Sequence, residues 1–181
     1  MKLAHFSDLH YDGKPARLAA FERALASASE RSADHLLIAG DLVDFADPRH
    51  LADMRDALQA SPWWDPARLT ILPGNHDLYR HSYPNLFRSI AGGFPGLRST
   101  SRRFDALFGE FMGAPIADGA TLPALKRLNA DWQVILLDTL VKTHRFDFMG
   151  SWRGWLDPAL SEPTLAALAA ASPTFLVVAC H

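Results

Sequence analysis

The sequence predicts an α/β fold built on parallel strands. Two observations carry this expectation. Three short apolar runs, at residues 3–6, 35–39 and 69–72, alternate with amphipathic stretches of helical length, and each run leads directly into a polar motif. A βαβαβ order favours parallel strands joined by right-handed crossovers, and short continuous apolar runs bounded by turn signals read as buried strands. The motifs are Asp8-Leu9-His10, Gly40-Asp41-Leu42-Val43-Asp44 and Gly74-Asn75-His76-Asp77. Their placement matters because open α/β sheets bind ligands just beyond the carboxyl ends of their strands.

Each element follows in order. After the first strand, residues 15–31 set Leu18, Phe21, Ala24 and Leu25 at helical spacing, with Pro15 suited to a first helical turn. The second strand leads through Gly40 into a helix over residues 48–60, where Leu51, Met54 and Leu58 repeat helically and Pro62-Trp63-Trp64-Asp65-Pro66 closes the run. The third strand meets Pro73-Gly74, a strong chain-turning pair. Residues 91–123 are rich in glycine and proline and read as a long decorated connection with one helix over 102–112. Phe94, Leu97, Phe104, Phe108 and Phe111 give it apolar anchors. A further apolar strand is expected at 132–137, followed by Asp138-Thr139, and a helix at 163–171. The last run, 174–181, reads as a buried strand that stops on His181.

A chain of 181 residues, 49% apolar, suffices for one well-cored domain, so residues 1–181 are taken as a single unit. A formal net charge of -2 offers no basic surface for nucleic acid or acidic membranes. The single cysteine, Cys180, excludes an internal disulfide framework and fits a reducing compartment. The chain reaches Ser7-Asp8-Leu9-His10 too early for a signal peptide. No apolar run approaches the roughly 18 residues that span a bilayer. A cytoplasmic location is therefore expected.

The chemistry begins with spacing. In extended backbone, residues i and i+2 project to one side, so Asp8 and His10 can offer a carboxylate oxygen and an imidazole nitrogen to one point. Gly40 lets the chain turn tightly before Asp41, whose carboxylate has two oxygens able to bridge two cations. Asn75 offers a neutral carbonyl oxygen, and adjacent His76 projects elsewhere, where it can face substrate. Mixed Asp, Asn and His donors suit manganese, iron, zinc or nickel better than calcium.

With these residues, the chain resembles the calcineurin-like metallophosphoesterase superfamily, whose pattern is D-x-H, G-D-x-x-D and G-N-H-D/E. The resemblance implies two facing sheets flanked by helices, an α-β-β-α sandwich, and two divalent metal ions. Asp8 and His10 would ligate the first metal, Asp41 would bridge, and Asn75 would ligate the second. His76 would bind substrate and act as the acid, Asp77 would orient His76, and Asp44 would support the Asp41 loop without touching metal. His181 corresponds to the family's lone histidine at the end of a later strand and would add a ligand to the second metal. The family then has G-H-x-H, which this sequence does not contain. The chain is accordingly expected to be C-terminally incomplete, with its closing strands missing, weak in metal binding and nearly inactive.

The implied reaction is hydrolysis of a phosphomonoester or phosphodiester on a small phosphorylated substrate, with a hydroxide generated between two cations roughly 3.5 to 4 Å apart and a proton from His76. The Asp-Leu-His opening and the Leu137-Asp138-Thr139 step most resemble the cyclic-nucleotide phosphodiesterase-like branch. A nuclease of the same superfamily would use the same ligands, and a protein-binding scaffold of this fold would carry a degraded site. Taken singly, each Asp reads as a turn or cap residue. Their joint order after strands favours the ligand reading. His5 is read as a packed strand residue, His35, His50, His81 and His144 as surface or loop residues, and Tyr79 and Arg80 as solvated loop. Trp63, Trp64, Trp152 and Trp155 are assigned to the core or its lid, and Cys180 to a buried strand near the site.

Overall fold

The computed structural model describes residues 1–78, 97–116, 121–139, 158–171 and 174–181. Phe94, Tyr79, Arg80, His81, His144, Trp152 and Trp155, assigned above, lie outside them. The first sheet is wholly parallel, in the order β1 (Leu3–Phe6), β2 (His35–Ala39), β3 (Leu69–Leu72). Helices α1 (Pro15–Glu30) and α2 (Pro48–Gln59) form the two crossovers, within a residue of the expected limits. Pro15 and Pro48 open them, and Asp47 caps α2 by accepting the Arg49 N–H at 2.8 Å. Phe21, Leu25 and Ala28 of α1, with Leu51, Met54 and Leu58 of α2, are buried.

Central strand β2 is buried throughout. Edge strand β1 is only half-buried, and His5 on it is exposed where a packed residue was expected. Strand β3, the other edge strand of this sheet among the described residues, is buried throughout, so the difference lies in what covers the faces of β1. His35 also departs from expectation. It is buried at the start of β2, with Nδ1 3.2 Å from the Ala67 carbonyl and Nε2 2.8 Å from Thr70 Oγ1. His50 is a half-buried residue of α2 whose ring meets Tyr11 edge-on, and it is neither surface nor loop.

The second sheet runs β4 (Ala114–Pro115), β5 (Ala124–Arg127), β6 (Trp132–Leu136), β7 (Phe175–Ala179), with β6 and β7 parallel and the other pairs antiparallel. Strands β4 and β5, inside and just after the stretch read as connection, were not expected. Two residues carry no pattern, and Ala-Leu-Lys-Arg has neither alternation nor β-branched residues. Before the second sheet come the short turn α3 (Asn75–Leu78) and helix α4 (Leu97–Phe108), which starts five residues ahead of expectation. Its Phe104 and Phe108, continued by Phe111 in the 3-10 turn Gly109–Phe111, are fully buried. Helix α5 (Pro158–Ala171) likewise begins before Pro163, which lies inside it.

One apolar core joins both sheets. Leu36, Ile38 and Ile71 belong to the same buried cluster as Ala124, Val134, Leu136 and Ala179. Trp63 is fully buried, its indole N–H donating to the Leu25 carbonyl at 3.0 Å, and Trp64 packs edge-on against Phe111. The terminal strand is not the buried element expected. Phe175, Leu176 and Val178 are exposed, as is Cys180, and β7 is the outer strand of its sheet among the described residues. Among those residues no helix is long and apolar enough to cross a membrane.

Candidate metal centre

The loops after β1, β2 and β3 converge at one end of the first sheet. The Asp8 N–H meets the Gly40 carbonyl at 3.3 Å, the His10 N–H the Asp41 carbonyl at 3.0 Å, and the Tyr11 N–H the Leu42 carbonyl at 3.0 Å. Asp8, His10 and Asp41 all take left-handed backbone, with φ of 55, 46 and 53 degrees. Such positions cost non-glycine residues on the order of 1–3 kcal/mol each and persist only where surrounding structure imposes them. Asp8 and His10 are thus brought together by left-handed turns and not, as the spacing suggested, by the alternation of an extended strand.

Asp41 sits at the centre of the cluster and is 3% exposed. Its Oδ2 lies 3.6 Å from His10 Nε2 and 3.1 Å from His181 Nε2, while Oδ1 accepts the His76 backbone N–H at 2.9 Å. The backbone bond engages Oδ1, which leaves Oδ2 as the oxygen facing both imidazoles. Burial pushes this carboxyl up, yet hydrogen bonds from His181 and the His76 N–H, with the electrostatic influence of those two residues, outweigh it and hold the group below its ordinary range. The more exposed Asp8 has Oδ1 3.8 Å from His10 Nε2. Donor atoms of Asp8, His10 and Asp41 all lie within 4.8 Å of one another.

His10 presents Nε2 to these carboxylates. Its other nitrogen, Nδ1, is buried with no well-aligned hydrogen bond and has Asp44 Oδ1 at 3.3 Å. An outer carboxylate on the far nitrogen is the usual way a ligating imidazole is oriented. Asp44 serves His76 as well. His76 Nδ1 is 2.7 Å from the Asp44 carbonyl and 3.8 Å from its Oδ1, and the two imidazole rings stand edge to face at 4.7 Å.

Asp77, expected to orient His76, has its carboxylate elsewhere. It accepts the Val43 N–H at 3.0 Å and the Gly74 N–H at 2.8 Å, tying the second motif to the third. Full burial raises it to about 7, against the lowering effect of those N–H groups. Asn75 is half-buried at the start of α3, directly before the His76 N–H that holds Asp41.

His181 arrives from the other sheet. Its Nδ1 donates to the Ala39 carbonyl at 2.9 Å, and Thr139 Oγ1 donates to its carbonyl oxygen. With Nδ1 on the Ala39 carbonyl, Nε2 faces Asp41 and donates to its Oδ2 at 3.1 Å. The Asp41 carboxylate beside it pulls this histidine up to about 9, against the opposing effect of burial. A histidine that far from β2 in sequence reaches Asp41 only because the residue under its ring is glycine: a Cβ on Gly40 would lie 2.5 Å from His181 Cγ.

The donors therefore fit the group the sequence implied. Three imidazoles, of His10, His76 and His181, and three carboxylates, of Asp8, Asp41 and Asp44, cluster here, and His10 has a buried nitrogen without a well-aligned hydrogen bond. The structure brings together Asp8, His10, Asp41, Asp44, His76 and His181, with Asn75 and Asp77 in the same loops. Sequence reasoning missed Thr139's bond to His181 and the role of Gly74, where a Cβ would stand 2.1 Å from Asp41 Oδ1. It also passed over Arg17, which donates to the His10 carbonyl. Arg17 had a readable signal, since a helix opening at Pro15 puts residue 17 in its first turn, beside the loop.

Comparison with protein families matches residues 1–157 to the calcineurin-like phosphoesterases. Among solved structures, a dimetal phosphatase from Danio rerio is similar in fold, with a TM-score of 0.63 at 14% identity, over 99% of this chain and 68% of that one. No curated protein sequence matches.

Proposed function

The chain belongs to the calcineurin-like phosphoesterase family, and from that premise we propose that it is a metal-dependent hydrolase of phosphomonoester or phosphodiester bonds whose centre is Asp41. The observation that supports this most directly is one buried carboxylate oxygen facing two imidazoles from opposite sides, His10 at 3.6 Å and His181 at 3.1 Å. Asp8, His10 and Asp41 would hold one divalent cation; Asp41, Asn75 and His181 would hold the second. Two such cations acidify a water and draw charge from the phosphoryl oxygens. Manganese, iron, zinc and nickel all suit this donor set.

The chain's own residues divide the remaining work. Asp41 Oδ2 keeps the two donor groups adjacent. Asp44 fixes the orientation of both His10 and His76. His76, half-buried with Nδ1 on the Asp44 carbonyl, presents its other nitrogen as the proton donor to a leaving oxygen. Intact donors in all three motifs favour an enzyme over a protein-binding scaffold of the same fold.

The test measures manganese binding, and manganese-dependent hydrolysis of p-nitrophenyl phosphate, its bis-ester, cyclic nucleotides and DNA, on the 181-residue chain and on its natural reading frame. Asp41→Asn is expected to cost more than the roughly 100-fold in metal affinity that loss of an outer partner costs, and to remove turnover with it. His76→Asn should leave binding in place and slow poor leaving groups by about 100-fold or more, while sparing nitrophenolate. Metal-independent turnover, or turnover that survives Asp41→Asn, would refute the proposal, and cleavage of DNA in preference to small esters would move it to a nuclease.

A further inference from the structure

The loop that presents Asp8 and His10 has left-handed backbone at both residues, so something must hold it. Its N–H groups are satisfied inward, by the carbonyls of Gly40, Asp41 and Leu42. The His10 carbonyl is taken up instead by helix α1, where Arg17 Nη1 donates to it at 2.5 Å and Arg17 Nε lies 3.6 Å from Asp12 Oδ1. Asp12 is itself fixed at the start of the helix, accepting the Lys14 N–H at 3.2 Å.

Packing supplies part of this hold, since Tyr11 is buried in the core and Leu9 packs against it. Behind the loop, however, is a cavity of about 280 Å³ whose walls include Leu9, Tyr11, Phe21, Met54 and Arg17. Leu9 lies between the two donor residues, and a side chain facing empty volume loses the contacts that would resist a shift. A charge-assisted hydrogen bond is about twice as strong as a neutral one, and here one acts on the peptide that follows His10.

We infer that Arg17 is a positioning residue for the Asp8–His10 donor pair. By clamping the His10 carbonyl it holds the strained turn that aims His10 Nε2 at Asp8 and Asp41. This role rests on the metal-centre reading above. It couples the first turn of α1 to donor geometry without any contact to substrate.

The residue suits a clean test because its side chain is 50% exposed and its loss opens no core. Arg17→Met and Arg17→Lys would be compared with the unaltered chain by amide hydrogen exchange without metal and by manganese titration. In Arg17→Met, the amides of His10 and Tyr11 should exchange at least tenfold faster while those of β2 are unchanged. Manganese affinity should fall by about 10- to 100-fold, and Arg17→Lys should recover part of both. Unchanged exchange at His10 and Tyr11 overturns the inference. So does faster exchange with unchanged affinity, since the loop would then be held without aiming the donors. If the unaltered chain binds no manganese, the metal centre fails instead, and exchange alone decides whether Arg17 holds the loop.

Discussion

A methyl group added at Gly74 would stand 2.1 Å from Asp41 Oδ1 and 2.3 Å from the Asp41 backbone nitrogen. Neither neighbour can yield, because one is backbone and the other is fixed by the His76 N–H. Gly74→Ala is therefore expected to push Asp41 out of its position. Manganese binding should be lost, at a stability cost of roughly 1–3 kcal/mol typical of forced overpacking. Gly40→Ala acts on the opposite side of the same carboxylate. Its φ of +81 degrees disfavours any side chain, and the new methyl would meet the His181 ring. Metal titration with parallel urea unfolding separates the two variants: Gly40→Ala should weaken the His181 side selectively, leaving the amides of His10 and Tyr11 protected. Loss of that protection would show that the glycine serves the fold and not the histidine.

At the scale of elements, the legible parts of the sequence were those with a local pattern. Strands β1 to β3, helices α1 and α2 and the three motifs each declare themselves within a few residues, through apolar runs, helical spacing and a glycine or proline at the turn. What escaped was decided at a distance. The exposure of residues on β1 and β7 depends on what packs over their faces, and Asp77's bonds to Val43 and Gly74 depend on two loops meeting. Strand β5 is the sharpest case, because its Lys126 is 8% exposed, with Nζ 2.5 Å from the Leu69 carbonyl and 2.9 Å from the Phe111 carbonyl. An ammonium in a strand normally marks a solvent face. Here it crosses from the second sheet to the start of β3 and the 3-10 turn, and burial pulls it down to about 8. Lys126→Met should leave two carbonyls without their donor and cost about 2 kcal/mol or more, since each buried unsatisfied group carries a penalty of that order. A urea midpoint equal to that of the unaltered chain would show that removing the buried charge offsets both losses.

The molecule as a whole is bound together by buried polar groups as well as by its shared apolar core, and one of them gives its stability a pH dependence. His35 lies between β2 and the start of β3. Its burial, with the Lys126 ammonium nearby, pulls it down to about 4 from an ordinary 6.5. Its bonds suit the neutral ring, Nδ1–H donating to the Ala67 carbonyl and Nε2 accepting from the Thr70 hydroxyl. Above pH 6.5 the ring is neutral folded and unfolded, so it adds no slope. Below 6.5 the unfolded chain takes up a proton that the folded chain refuses until about pH 4, so the unfolded state binds more protons and stability falls as pH drops through that window. By pH 5 the loss attributable to His35 is about 2 kcal/mol. Carboxylates also titrate toward the acid end, so the comparison is between slopes. His35→Gln, which keeps a donor for Ala67 but cannot take up the proton, should be less stable at pH 7.5 yet lose about 2 kcal/mol less than the unaltered chain between pH 7.5 and 5. Urea unfolding of both chains at the two pH values reads this directly, and equal losses would mean that His35 accepts its proton in the folded molecule.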